Sequence, residues 1–179
     1  MLQEHNLCLP TCGAMVLNYY GEQTSQYSVK HLCGDDAGLL TGTRFTDLIK
    51  AVRVLGYKWR AVAVDARDSL CASCMNVLKK ELDAGRPVIL GISDLEEAAG
   101  RTFIAANRNQ AYIDLPVNGR ENVNHAVILT GYDTKAEEVT LMDPARSGTG
   151  VRVLSYERFE HLWHDEYTGA RIALLTKPK

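Results

Sequence analysis

The sequence predicts an α+β domain: helices drawn mostly from the first half, packed on a mainly antiparallel sheet built mostly from the second. Three observations predict it. Before position 86 the apolar residues fall mainly at three- and four-residue spacing and the runs stop at glycines; after position 124 they gather in short β-prone runs separated by turn residues. Between the two lies Pro87 to Ile92, an apolar run that reads as a buried sheet segment. With 179 residues, 46% of them hydrophobic and 23% charged, and with no repeat or linker, residues 1–179 are expected to form one domain.

The elements follow in order. Leu9 to Tyr20 holds Pro10 near its start, Met15, Val16, Leu17 and Tyr19 within it, and Gly21 as its stop, so it reads as a short buried helix. Thr43 is expected to cap a second helix in which Phe45, Leu48, Ile49 and Val52 form an apolar stripe before Gly56. Tyr57 to Val64 reads as an early strand. A third helix runs roughly from Ser69 to Ala84, with Cys71, Cys74, Leu78 and Leu82 aligned and Gly85 ending it, and it leads into the Pro87 to Ile92 strand. Ser93 to Asn124 is expected to be a loop-rich crossover with a strand near Ala111 to Leu115. His125 to Thr130, Glu138 to Met142, Val151 to Leu154 and Arg171 to Thr176 read as strands, interrupted by a short helix near Tyr156 to Trp163.

Charge and cysteine content exclude several classes. A net charge of −2 offers no basic footprint for nucleic acid or anionic lipid. No apolar run approaches the roughly 18 residues of a membrane span, and the first residues lack the layout of a signal peptide. The chain as given is therefore expected to be soluble and cytoplasmic, or secreted or host-directed if an export signal was removed. Five cysteines, Cys8, Cys12, Cys33, Cys71 and Cys74, leave at least one thiol free. His31, Cys33, Cys71 and Cys74 suggest a zinc site at most weakly, because no second close cysteine pair supports it. Burial as small hydrophobes is the simpler reading, so no metal site is expected.

One thiol stands apart. Cys8 lies just before the first helix, where unpaired backbone N–H groups and the positive end of the helix dipole favour the thiolate, the form that attacks. By itself it reads as a small apolar residue at a helix cap. Gln3, five positions upstream, has an amide suited to donate to an oxyanion; alone it is a polar residue near a terminus. His125 opens the apolar strand Asn-His-Ala-Val-Ile-Leu-Thr-Gly-Tyr-Asp and can take and return a proton near neutral pH, though a strand-edge histidine is usually just solvated. Asp143, in Leu-Met-Asp-Pro, reads alone as a turn residue. If the His125 strand turns near Thr134 and returns through Glu138 to Met142, however, residue 143 arrives beside the start of the outgoing strand.

These residues resemble a known family. The opening Gln-Glu-His-Asn-Leu-Cys-Leu-Pro-Thr-Cys-Gly-Ala-Met-Val-Leu-Asn-Tyr-Tyr-Gly, the His125 strand, the Asp143-Pro144 step, the Phe159 to Trp163 segment and the Pro87 to Ile92 strand are similar to the papain-like cysteine peptidases of the bacteriocin-processing type, family thirty-nine, and their free-standing bacterial relatives. The resemblance implies a papain-like fold with the site in a cleft between helices and sheet. It makes Cys8 the nucleophile, His125 the base and acid, Asp143 the residue that orients it and Gln3 the oxyanion donor. It also implies a peptide or protein substrate, with neither metal nor organic cofactor. Two positions depart from the pattern: Leu9 stands where the family commonly has Gly, which is expected to narrow the entrance, and Gln3 is five rather than six residues before the thiol. Cys12 is the rival nucleophile, one turn inside the helix, where the family has a small packing residue. An amidase, deamidase or transglutaminase-like enzyme would use the same thiol chemistry. A non-catalytic peptide-binding module on this fold is the alternative from another class, and the joint presence of Gln3, Cys8, His125 and Asp143 argues against it.

Overall fold

The periodic runs of the first half become helices, and the sheet takes its centre from the run at Pro87. In a computed structural model, which describes residues 1–4, 7–34, 43–65, 72–93, 124–145, 149–163 and 170–179, the elements are α1 (Cys8–Tyr19), α2 (Gln26–Cys33), α3 (Phe45–Val54), β1 (Arg60–Asp65), α4 (Ala72–Asp83), β2 (Val88–Ser93), β3 (Asn124–Asp133), β4 (Glu138–Met142), β5 (Val151–Ser155), α5 (Tyr156–Leu162) and β6 (Ala170–Leu175). The strands form one six-stranded sheet in the order β1-β6-β2-β3-β4-β5, and every neighbouring pair is antiparallel. The expected strand near Ala111 to Leu115 and most of its crossover lie outside the described residues.

Strand β2 shows why its sequence carries no polar alternation. Ile89 faces a core cluster with Leu9, Cys12 and Leu17 of α1, Val29 of α2 and Leu48 of α3, whereas Val88, Leu90 and Ile92 face a second cluster with Met75 and Leu78 of α4 and Phe159 of α5. Both faces of the strand are thus covered, which fits a central position in the sheet. The layering places helices on both sides of the sheet. The helices do not all share a side: α1, α2 and α3 pack on one face, α4 and α5 on the other.

Helix α1 packs tightly against its neighbours at Gly13, where a Cβ would come within 2.8 Å of Leu48 Cδ1 and 3.3 Å of Val29 Cγ1. A Cβ there would force the Leu48 side chain to shift. Helix α2 was not foreseen, because just Gln26 and Val29 of its eight residues are buried and its stripe is too thin to show as periodicity. Its start is nonetheless well made, with the Ser25 hydroxyl accepting from the Ser28 N–H at 3.1 Å. Thr43 does not cap α3. Arg44 holds the cap position without a side-chain cap, and the Thr43 hydroxyl is buried with no hydrogen-bond partner among the described residues.

The β3–β4 hairpin sets up the site. Asp133 pairs with Glu138, Tyr132 with Val139 and Gly131 with Thr140, but Leu129 then pairs with Leu141, so the register shifts past Thr130. This bulge advances β4 by one place along β3. Met142 lies opposite Ile128, and Asp143 leaves the strand on the side from which β3 starts.

Candidate active site

Cys8 is the first residue of α1 and not the residue before it. The cap position is Leu7, whose side chain cannot accept from the first-turn N–H groups, so this residue brings no capping oxygen to compete with a thiolate. Burial pushes the Cys8 thiol up. Against this act the hydrogen bond and charge of His125 and the backbone N–H groups of Ala126 and Leu9, and the balance lies below the usual thiol value.

His125, the second residue of β3, is 1% exposed. Its Nε2 donates to Asp143 Oδ1 at 2.7 Å, and the thiol of Cys8 acts on the same imidazole. Burial lowers the imidazole pKa, but the hydrogen bonds and charges of Asp143 and Cys8 raise it to about 10. Asp143 is likewise 1% exposed. Burial pushes its carboxyl up, while His125, the Ala145 N–H and the charge of Arg152 pull it down to about 2. A thiol held low beside an imidazole held high favours the thiolate–imidazolium pair, with the carboxylate ionised behind it.

Cys12 stays a thiol. Burial, followed by the charges of Cys8 and Asp143, raises it well above its ordinary value, and its Sγ–H donates to the Ala126 carbonyl at 3.3 Å. Leu9 does not narrow any entrance: its side chain turns into the core. Gln3 is held at the same corner of the fold, its N–H donating to the Pro144 carbonyl at 2.7 Å. Its side-chain amide is buried, and neither amide atom has a hydrogen-bond partner among the described residues. Of the residues weighed for zinc, His31 and Cys33 lie on α2 and Cys74 on α4, so the sheet stands between them; Cys71 lies outside the described residues.

Two contributors escaped the sequence. Arg152 of β5 donates from Nη1 to Asp143 Oδ2 at 3.1 Å, both side chains being almost wholly buried. Its signal was inverted, because in Val-Arg-Val the arginine points inward and Val151 and Val153 point out at 46% and 54% exposure. Gln26 of α2 is the second. Its Oε1 accepts from the Glu4 N–H at 3.2 Å and the Thr11 hydroxyl at 2.6 Å, and its Nε2 donates to the Leu2 carbonyl at 3.4 Å, so it grips the backbone on both sides of Gln3. A lone Gln in an unforeseen helix gives no such signal.

Helices packed against an antiparallel sheet, with a buried imidazole hydrogen-bonded to a carboxylate on the sheet, give the fold of the papain-like class. The Peptidase C39 like family model matches residues 1–170, and the chain belongs to that family. Solved structures agree on the fold. The peptidase domain of Streptococcus ComA, a bifunctional ABC transporter involved in a quorum-sensing pathway, is 19% identical with a TM-score of 0.61, covering 100% of this chain and 97% of that one. A double glycine motif protease from an AMS/PCAT transporter, solved with a leader peptide, is 22% identical with a TM-score of 0.60, covering 100% and 90%. Xylellain, a cysteine protease from Xylella fastidiosa, is 15% identical with a TM-score of 0.54, covering 94% and 80%. Comparison with curated protein sequences finds no match. Among the described residues no helix is long and apolar enough to cross a membrane.

Proposed function

We propose that the chain is a cysteine peptidase that hydrolyses peptide bonds through Cys8, His125 and Asp143. The observation that carries this reading is the 2.7 Å hydrogen bond between His125 Nε2 and Asp143 Oδ1, with the same imidazole lowering the pKa of a thiol at a helix N-terminus. The Cys8 proton passes to His125, and the thiolate attacks the scissile carbonyl carbon. The oxyanion is held by the Gln3 side-chain amide and the Cys8 N–H; a buried amide with no partner among the described residues is a donor suited to a charge that appears only during reaction. Protonated His125 then gives its proton to the departing amine, leaving a thioester. Water, deprotonated by the same imidazole, hydrolyses that thioester and regenerates the thiol.

The substrate is a peptide or a segment of a protein, and the leader peptide bound to the double glycine motif protease makes double-glycine peptides the first probes. Incubation with such peptides and with a random peptide library, read by mass spectrometry, tests the proposal. Cleavage into two fragments that together gain one water is expected for the wild type, with kcat down by at least about a thousandfold in Cys8→Ala. Products carrying a changed side-chain amide and an intact backbone would point instead to a deamidase or transglutaminase-like enzyme. An undiminished rate in Cys8→Ala would rule out the mechanism.

A further inference from the structure

The buried guanidinium behind Asp143 occupies a place where the local pattern asks for an apolar side chain. Strand β5 turns Val151 and Val153 to solvent and Arg152 inward, against ordinary alternation and at the cost of desolvating a charge. The backbone is shaped to bring it there. The Asp143 N–H donates to the Gly150 carbonyl at 2.7 Å, and a Cβ on Gly150 would stand 2.9 Å from the Asp143 carbonyl oxygen, so any larger residue would push β5 away from the carboxylate.

We propose that Arg152 is a positioning residue: through Asp143 Oδ2 it aims the other carboxylate oxygen at His125, and its charge offsets that of the carboxylate as the Cys8 proton moves to His125. The inference rests on the triad reading and deepens it. Asp143 Oδ1 already accepts from His125 and, at 2.9 Å, from the Ala145 N–H. Arg152 takes Oδ2 at 3.1 Å, so the carboxylate is held at both oxygens and cannot swing away from the imidazole. The charges add up simply. Arg152 and Asp143 carry opposite charges, and moving the proton from Cys8 to His125 leaves the sum over these four groups unchanged. Among the described residues, the other titratable groups facing the cluster are Cys8 and Cys12 from α1 and His125 from β3, and none of them could replace the missing positive charge without taking up a proton.

Removing a positive charge raises the pKa of every acid that faces it, which gives a signature that mere loosening would not. The measurement is the rate of Cys8 alkylation by iodoacetamide against pH, resolved by mass spectrometry, in the full chain and in Arg152→Lys, Arg152→Gln and Arg152→Met, with melting curves for each. The wild-type rate is expected to climb in two steps, as the thiolate forms opposite protonated His125 and again as His125 loses its proton. In the Gln and Met variants both inflections are expected to move to higher pH by about one unit, whereas Lys, which keeps the charge, leaves them in place. A neutral variant that melts like the wild type with both inflections unmoved overturns the proposal, as does a Lys variant displaced as far as the neutral ones. If neither neutral variant folds, Arg152→Lys decides: unmoved inflections support the proposal, and moved ones overturn it. A wild-type Cys8 that alkylates no faster than Cys12 and Cys33, or a rate indifferent to His125→Ala, overturns the triad reading first and this inference with it, a result distinct from an indifferent Arg152.

Discussion

At Cys8, burial and ion pairing oppose each other, and the pairing wins. The thiol is held below its ordinary value of 9.0 and His125 is raised from 6.5 to about 10, so between the two the site holds one proton, on the imidazole. Hydrolysis is therefore expected to follow a bell-shaped pH dependence. Its acid limb falls where the thiolate takes up a proton, below pH 9.0, and its alkaline limb lies near pH 10, where His125 can no longer protonate the leaving amine. Steady-state kcat/KM on any cleaved peptide checks this; an alkaline limb near 6.5 would mean that His125 titrates as a solvated imidazole. At this scale the sequence singled out residues with reactive side chains, of which His125 and Asp143 meet in a hydrogen bond. Arg152 was not among them, because its charge made it look like the solvated half of an alternating strand.

Elements deliver these residues to one corner. Helix α1 was legible to within one residue, since its apolar run ends at a glycine, and β2 was legible as an unbroken apolar run. Helix α2 was not, as it buries only Gln26 and Val29. That short helix nonetheless fixes the N-terminal segment, for Gln26 bonds to Leu2 and Glu4 on either side of Gln3 and, through Thr11, to α1. Gln3→Ala is expected to lower kcat by about a hundredfold with KM little changed. Gln26→Ala, by releasing the same segment, is expected to lower kcat by about tenfold, and the double variant to lose little more than Gln3→Ala alone. A double-mutant cycle on kcat checks this; simple additivity would separate Gln26 from Gln3.

For the whole molecule, the site joins distant parts of the chain: α1 from the beginning, β3 and the end of β4, and β5 beyond it. The α+β architecture was legible because periodicity reports local structure. The division of helices between two faces was not, because the face on which a helix packs depends on crossings that no local pattern records. Asp143 ties the site to global stability. Its folded value of about 2 lies below the ordinary 3.8, so its contribution is complete above pH 3.8, shrinks as pH falls and is gone below about 2. This amounts to about 2 kcal/mol. Urea midpoints measured from pH 4 to pH 2 are expected to fall more steeply in the wild type than in Asp143→Asn; equal slopes would show that the carboxylate is not held low by folding.

The most direct measurement maps thiol alkylation at about pH 6, where an ordinary cysteine is almost wholly protonated. In the wild type Cys8 is expected to react well ahead of Cys12 and Cys33, and in His125→Ala that lead is expected to vanish. Equal reactivity of the three thiols in the wild type, or a Cys8 lead that survives in His125→Ala, would contradict the pairing of Cys8 with His125 on which the mechanism depends.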